Sequence, residues 1–137
     1  MPHLIATALT GAALALSPAL PVAPASAAAG PATGPAAATE LRLTLTYPGT
    51  TTSGTRTVTL TCDPAGGQHP RATRACAELA RSGGRFEHDS GDRICTLEYA
   101  PVIAEAEGLW RGRPARFRRE YPNGCVLRAY TGTIFAF

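Results

Sequence analysis

No lysine occurs among the 137 residues, so arginine carries all of the positive charge. The formal net charge of +3 is modest and does not by itself point to nucleic acid. Aromatic residues are few, and they are not interleaved with arginine in the pattern that stacks single strands. No C-x-x-C pair is present, which argues against a structural zinc site. Histidine is scarce. Beyond His3 there are His69, read as solvated beside a helix start, and His88, read as solvated in a charged loop. The serines of the same region are Ser53, Ser82 and Ser90, and none lies in a G-x-S-x-G elbow. Glu105 and Glu107 fall in an expected turn, so no cleft with two acids is evident. These absences leave no site for chemistry: no enzyme, no cofactor and no metal are expected.

A long uninterrupted apolar run is missing too. Leu4 to Leu20 is uncharged and rich in Ala and Leu, but Pro18 breaks it, which argues against a membrane anchor. Pro21, Pro24 and then Ala25-Ser26-Ala27 follow, a small-x-small site of the kind signal peptidase cleaves. Residues 1–27 are read as a signal peptide and the chain as secreted and extracellular. Residues 28–39 continue as Ala, Pro, Gly and Thr, a composition that buries too little apolar surface to order itself, and are read as a flexible leader. Residues 40–137 form one small domain.

Within it, Leu41, Leu43, Leu45 and Tyr47 alternate with Arg42, Thr44 and Thr46, the signature of a strand with one buried face. A turn from Pro48 to Thr55 leads to a second strand, with Val58, Leu60 and Cys62 on one side. Asp63 to Gly67 ends it. From Pro70 to Ser82, Ala72, Ala75, Cys76, Leu79 and Ala80 share one helical face, and Gly83-Gly84 stops the helix. Arg74 and Glu78 stand at a favourable pairing distance on its other face. Arg85 to Arg93 is a polar surface loop. Val102 to Ala104, an expected turn over Glu105 to Gly108, and Leu109 to Arg111 come next. Ala115 to Tyr121 is a strand whose Arg116, Arg118 and Glu120 face solvent, which is the ordinary reading of the arginine cluster. Asn123 caps a short helix over Gly124 to Ala129, and an apolar last strand, Thr133 to Phe137, tucks into the core. The fold class is α+β: an antiparallel sheet of about five strands, packed by one main helix and a short second one.

Cys62, Cys76, Cys95 and Cys125 make an even count in a small secreted domain, which implies two disulfides. Three pairings are open, and spacing does not choose among them. A Cys62–Cys76 bond would staple the main helix to the strand before it. Ile94-Cys95-Thr96-Leu97-Glu98-Tyr99-Ala100-Pro101 sets a half-cystine at one end of an extended stretch and a proline at the other. Restrained at both ends and exposed, such a stretch would fit a protease cleft as a substrate does.

Several segments recur in order in a known family. They are Thr57-Val58-Thr59-Leu60-Thr61-Cys62, His69-Pro70, Ala75-Cys76-Ala77-Glu78-Leu79 and Cys95-Thr96-Leu97-Glu98-Tyr99-Ala100-Pro101-Val102. Gly108-Leu109-Trp110-Arg111-Gly112, Asn123-Gly124-Cys125 and Ile134-Phe135-Ala136-Phe137 complete the set. Together they resemble the Streptomyces subtilisin inhibitor-like family over Leu41 to Phe137. The resemblance implies a secreted inhibitor of serine endopeptidases, subtilisin-like and also chymotrypsin-like. It implies disulfides Cys62–Cys76 and Cys95–Cys125 and a homodimer formed through the sheets. The reactive bond maps to Leu97–Glu98, with Ile94, Cys95, Thr96 and Tyr99 as the protease-contact loop. Leu97 stands where members often carry Met or Lys, which makes proteases specific for basic residues weak targets. Thr96, Glu98 and Ala100 also depart from common choices and bear on target range. The competing reading is a secreted binding or cell-surface module with no protease affinity. A transglutaminase substrate, another role of related inhibitors, is disfavoured by a single glutamine, Gln68, and no lysine.

Overall fold

The computed structural model describes residues 37–49 and 54–137. The expected signal peptide over 1–27, the leader as far as residue 36 and residues 50–53 lie outside the described residues.

The alternating stretches form strands β1 (Thr39–Tyr47), β2 (Gly54–Cys62), β4 (Val102–Trp110) and β5 (Arg113–Tyr121), joined by the two-residue β3 (Gly66–Gly67). The helices are α1 (Ala72–Arg81) and α2 (Gly124–Thr131). All neighbours are antiparallel in the order β3-β2-β1-β4-β5, which puts the most regular alternation, β1, at the centre. Leu41, Leu43 and Leu45 of β1 face inward with Leu60, Val102, Ala104 and Ala106. Each leucine removed from water contributes roughly 1.5–3 kcal/mol. α1 covers the β2 side of this face through Ala75 and Leu79, and the Cys62–Cys76 disulfide fastens it there. Phe86 stacks on Phe117, with ring centroids 5.3 Å apart, and Phe135 packs tilted against Phe117 at 5.8 Å. The opposite face is polar: Thr44 and Thr57 pair their hydroxyls, Arg118 meets Glu105 and Arg116 meets Glu107.

Several expectations are corrected. The turn over Glu105 to Gly108 does not exist, because β4 runs straight through it. Gly108 permits this: at φ 142 it lets β1 approach so closely that a Cβ would overlap the Glu40 carbonyl oxygen. Thr133 to Phe137 is not a strand. Gly132 (φ 56) turns the chain, and the N–H groups of Ile134 and Ala136 close turns on Thr131 and Thr133. Ile134 and Phe135 still enter the core, so burial was legible where geometry was not. The fifth strand is instead Gly66–Gly67, in the stretch expected only to end the second strand. β2 already begins at Gly54, inside the expected first turn, and β1 begins at the buried Thr39. Ala80 is exposed rather than inward. Glu78 does not pair with Arg74 but accepts the Thr133 N–H at 2.7 Å, tying α1 to the C-terminal segment.

His69 is buried, not solvated. Its Nδ1 accepts the Arg71 N–H at 3.0 Å at the start of α1, so the neutral ring keeps its proton on Nε2 and donates it to the Ile134 carbonyl at 3.0 Å. Burial pushes its pKa below the ordinary 6.5, against the opposing pull of the Ile134 bond.

Candidate functional site

Between α1 and β4 the chain makes no regular secondary structure over residues 93–101, yet it is fastened at several points. Upstream, Phe86 is anchored in the aromatic cluster, and Glu87 accepts from Arg119 at 2.6 Å and from the Tyr121 hydroxyl. Burial, and then the bond to Glu87, raises the Tyr121 pKa, so the phenol stays a donor. The His88 N–H donates to the Tyr130 carbonyl at 2.9 Å. Downstream, Pro101 leads into β4.

The middle of the loop is fastened to one short segment, Pro122 to Cys125. Cys95 is bonded to Cys125, with 5.8 Å between their Cα atoms. The Ala100 N–H donates to the Pro122 carbonyl at 2.9 Å. Asn123 does two things at once. Its Oδ1 accepts the Val126 N–H at 2.9 Å, the N-cap expected from the sequence. Its Nδ2 donates to the carbonyls of Thr96 (3.1 Å) and Glu98 (2.9 Å), the residues on either side of Leu97. Sequence reasoning found the acceptor half of this side chain and missed the donor half. An amide has both, and a cap that needs only an oxygen leaves the nitrogen to be accounted for.

Held this way, the loop turns its side chains outward. Leu97 is 101% exposed and Ile94 95%, and Tyr99 also stands in solvent. Thr96 and Glu98 are exposed as well, whereas Cys95 is half-buried at the disulfide. A leucine in water beside a clamped backbone is an apolar side chain offered to a pocket elsewhere. His69 Nε2 is bonded to the Ile134 carbonyl, and the Ser82 hydroxyl donates to the Arg85 carbonyl at 2.7 Å. Among the described residues no group of three or more His, Cys, Asp and Glu could hold a metal, and no helix is long and apolar enough to cross a membrane.

The sequence model described as "Subtilisin inhibitor-like" matches residues 37–123, from the start of the described domain to the clamping asparagine. The chain belongs to the subtilisin inhibitor-like family. This is a family of protease inhibitors, not of enzymes. Subtilisin inhibitor-like protein 2 of Streptomyces rochei is 47% identical over 89 residues, covering 63% of this chain and 79% of its own. A subtilase-type protease inhibitor of Streptomyces coelicolor is 42% identical over 117 residues, covering 80% and 81%. Among solved structures, Streptomyces caespitosus sermetstatin, crystallised in complex with Bacillus licheniformis subtilisin, superposes with a TM-score of 0.57 at 26% identity, covering 72% of this chain and 97% of its own.

Proposed function

We propose that this chain inhibits subtilisin-like serine proteases by offering them the Leu97–Glu98 bond as a substrate from which turnover gains little. The observation that carries this reading is the fully exposed Leu97 between two carbonyls held by Asn123. Leu97 fills the primary specificity pocket, and Ile94, Cys95, Thr96 and Tyr99 extend the contact on either side. The Leu97 carbonyl carbon meets the nucleophilic serine, with its oxygen in the oxyanion hole. Attack breaks the Leu97–Glu98 C–N bond and leaves an acyl-enzyme on Leu97 and a new amine on Glu98.

Both halves of the cut loop stay tied to Pro122–Cys125. The acyl side is held through Cys95–Cys125, and the amine side through Asn123 to the Glu98 carbonyl and Ala100 to Pro122. The amine cannot diffuse away, so its effective molarity at the acyl carbon is high and resynthesis outruns hydrolysis. A loop ordered before binding also avoids most of the ordering cost of association. The apolar Leu97 suits subtilisin-like and chymotrypsin-like pockets over those that take a basic residue.

The proposal includes a signal peptide over residues 1–27 and secretion, in keeping with paired cysteines. It also includes a homodimer through the outer sheet face, where Arg42, Thr44, Glu105 and Glu107 line an open polar surface. Titration of subtilisin, chymotrypsin and trypsin tests the central reading. Stoichiometric loss of subtilisin activity is expected, with any slow cleavage located by mass spectrometry at Leu97–Glu98. Unaffected subtilisin, or a cut elsewhere, would leave a binding module without protease affinity.

A further inference from the structure

At the far end of β4 from the reactive loop, about 27 Å away at roughly 3.4 Å per strand residue, part of the inner sheet face is left uncovered by the described residues. α1 packs on β2 and β3, and α2 follows Tyr121, the end of β5 opposite the β4–β5 turn. What remains is a groove of about 540 Å³. Trp110, Ala115 and Phe117 form its floor, and the segment 84–87 its wall. The wall stands close because residue 84 is glycine: a Cβ there would overlap the Trp110 ring. Arg85 and Arg113 line the groove, and the Arg111 guanidinium lies 5.1 Å over Trp110. No ion pair among the described residues involves Arg85, Arg111 or Arg113, whereas Arg116, Arg118 and Arg119 each have a glutamate. Glu87, the acid on the wall, is occupied by Arg119 and Tyr121. Among the described residues β5 is also the edge of the sheet, paired by a strand on one side only.

We propose that this groove is a second binding face, which takes an extended acidic segment of a partner protein carrying an apolar anchor. Unpaired arginines supply the charge complementarity, the aromatic floor takes the anchor, and the open edge accepts an added strand. An anionic polymer without apolar groups would leave the floor unused. The face lies clear of Leu97, so both sites are filled together.

Trp110 is the sole tryptophan of the chain, so its fluorescence reports on the groove without reference to protease inhibition. The full chain is titrated with a synthetic peptide alternating Glu and Val around a central Phe, and with its counterpart in which Lys replaces Glu. A saturable change with the Glu peptide, and none with the Lys peptide, is expected. The exposed-site double variant Arg85→Glu/Arg113→Glu should bind the Glu peptide at least about tenfold more weakly. The milder Arg85→Ser/Arg113→Ser should weaken it in the same direction, and both should titrate subtilisin unchanged. No saturable signal, an equal response to both peptides, or wild-type binding by these variants would overturn the proposal. A Trp110 signal that follows the protein's own concentration without peptide would assign the face to a second copy and overturn it equally. Subtilisin titration of the same samples keeps this outcome separate from that of the reactive loop.

Discussion

Replacing Asn123 by Asp separates the two functions of that side chain. The residue is buried, with one oxygen on the Val126 N–H and one nitrogen shared between the Thr96 and Glu98 carbonyls. Asp caps a helix as well as Asn does and is favoured by the helix dipole, so the α2 cap survives. It has no donor for the loop. Two net hydrogen bonds at about 0.5–1.5 kcal/mol each are lost, and a carboxylate is left facing two carbonyl oxygens. That loss falls on the order of the loop rather than on the core. Since about 1.4 kcal/mol is tenfold in affinity, Ki for subtilisin should rise by roughly 10- to 100-fold. Inhibition should also become temporary, because an amine no longer held through the Glu98 carbonyl leaves the acyl-enzyme more often. Asn123→Ser, which keeps an acceptor and adds no charge, should share the weakened inhibition. Asn123→Ala should weaken inhibition and also cost about 1 kcal/mol of folding stability through the lost cap. Ki measurements, mass spectrometry of the loop after prolonged incubation and urea unfolding make up the assay. If Asn123→Asp and Asn123→Ser inhibit as tightly and as durably as the parent, the clamp has no part in inhibition and the reasoning fails.

Other outcomes follow from the same geometry. Leu97→Lys should move preference from subtilisin toward trypsin in an inhibition panel; an unchanged profile would show that another residue fills the specificity pocket. Removing Cys95–Cys125 as the double serine variant frees a 30-residue separation worth about 3–4 kcal/mol by chain entropy. Thermal unfolding should register that loss, and subtilisin should digest the variant as a substrate. Burial keeps His69 neutral to lower pH in the folded chain than in the unfolded chain, which takes up a proton below about 6.5. Its contribution to stability is therefore complete above 6.5 and is lost as pH falls from there toward the lower folded value. Urea unfolding at about pH 7.5 and about pH 5 should show that decline, and His69→Gln should reduce it.

Much of the architecture could be read from residue order, and the errors have physical sources. Period-two alternation found β1 and β2 because one face of each is buried and the other wet. The same rule failed over Glu105 to Gly108, where a glycine read as a turn is a site of close strand approach. Phe86 was hidden in a run of charges, and nothing local reveals that one aromatic in a polar loop joins a distant cluster. The terminal segment shows its burial in its composition but not its turns, since burial follows composition whereas hydrogen bonding depends on which edge is free. The burial of His69 has no local signal, because its partner, the Ile134 carbonyl, lies 65 residues away. At the site, cysteine, leucine and proline were visible in one stretch. The clamp was not, because it reaches across from Asn123 to carbonyls that carry no sequence signature.

The loop's rigidity is borrowed from the C-terminal part of the chain. Residues 93–101 have neither helix nor sheet of their own, and the four ties at their centre all end on Pro122, Asn123 or Cys125. Those residues are fixed in turn as the end of β5 and the start of α2, and α2 is seated through Leu127 and Thr131. Beyond it, Ile134 and Phe135 fill the core while His69 and Glu78 hold the following segment from the α1 side. A substitution under α2, far from any protease, should therefore loosen the loop as well as the fold. Leu127→Ala, expected to cost about 2–5 kcal/mol as a buried leucine, should increase cleavage at Leu97–Glu98 even at temperatures where the domain remains folded. A comparably destabilising change under α1, such as Leu79→Ala, should lower stability without that increase. Equal cleavage from both would mean that the loop depends on global stability alone and that its ties to residues 122–125 add nothing specific.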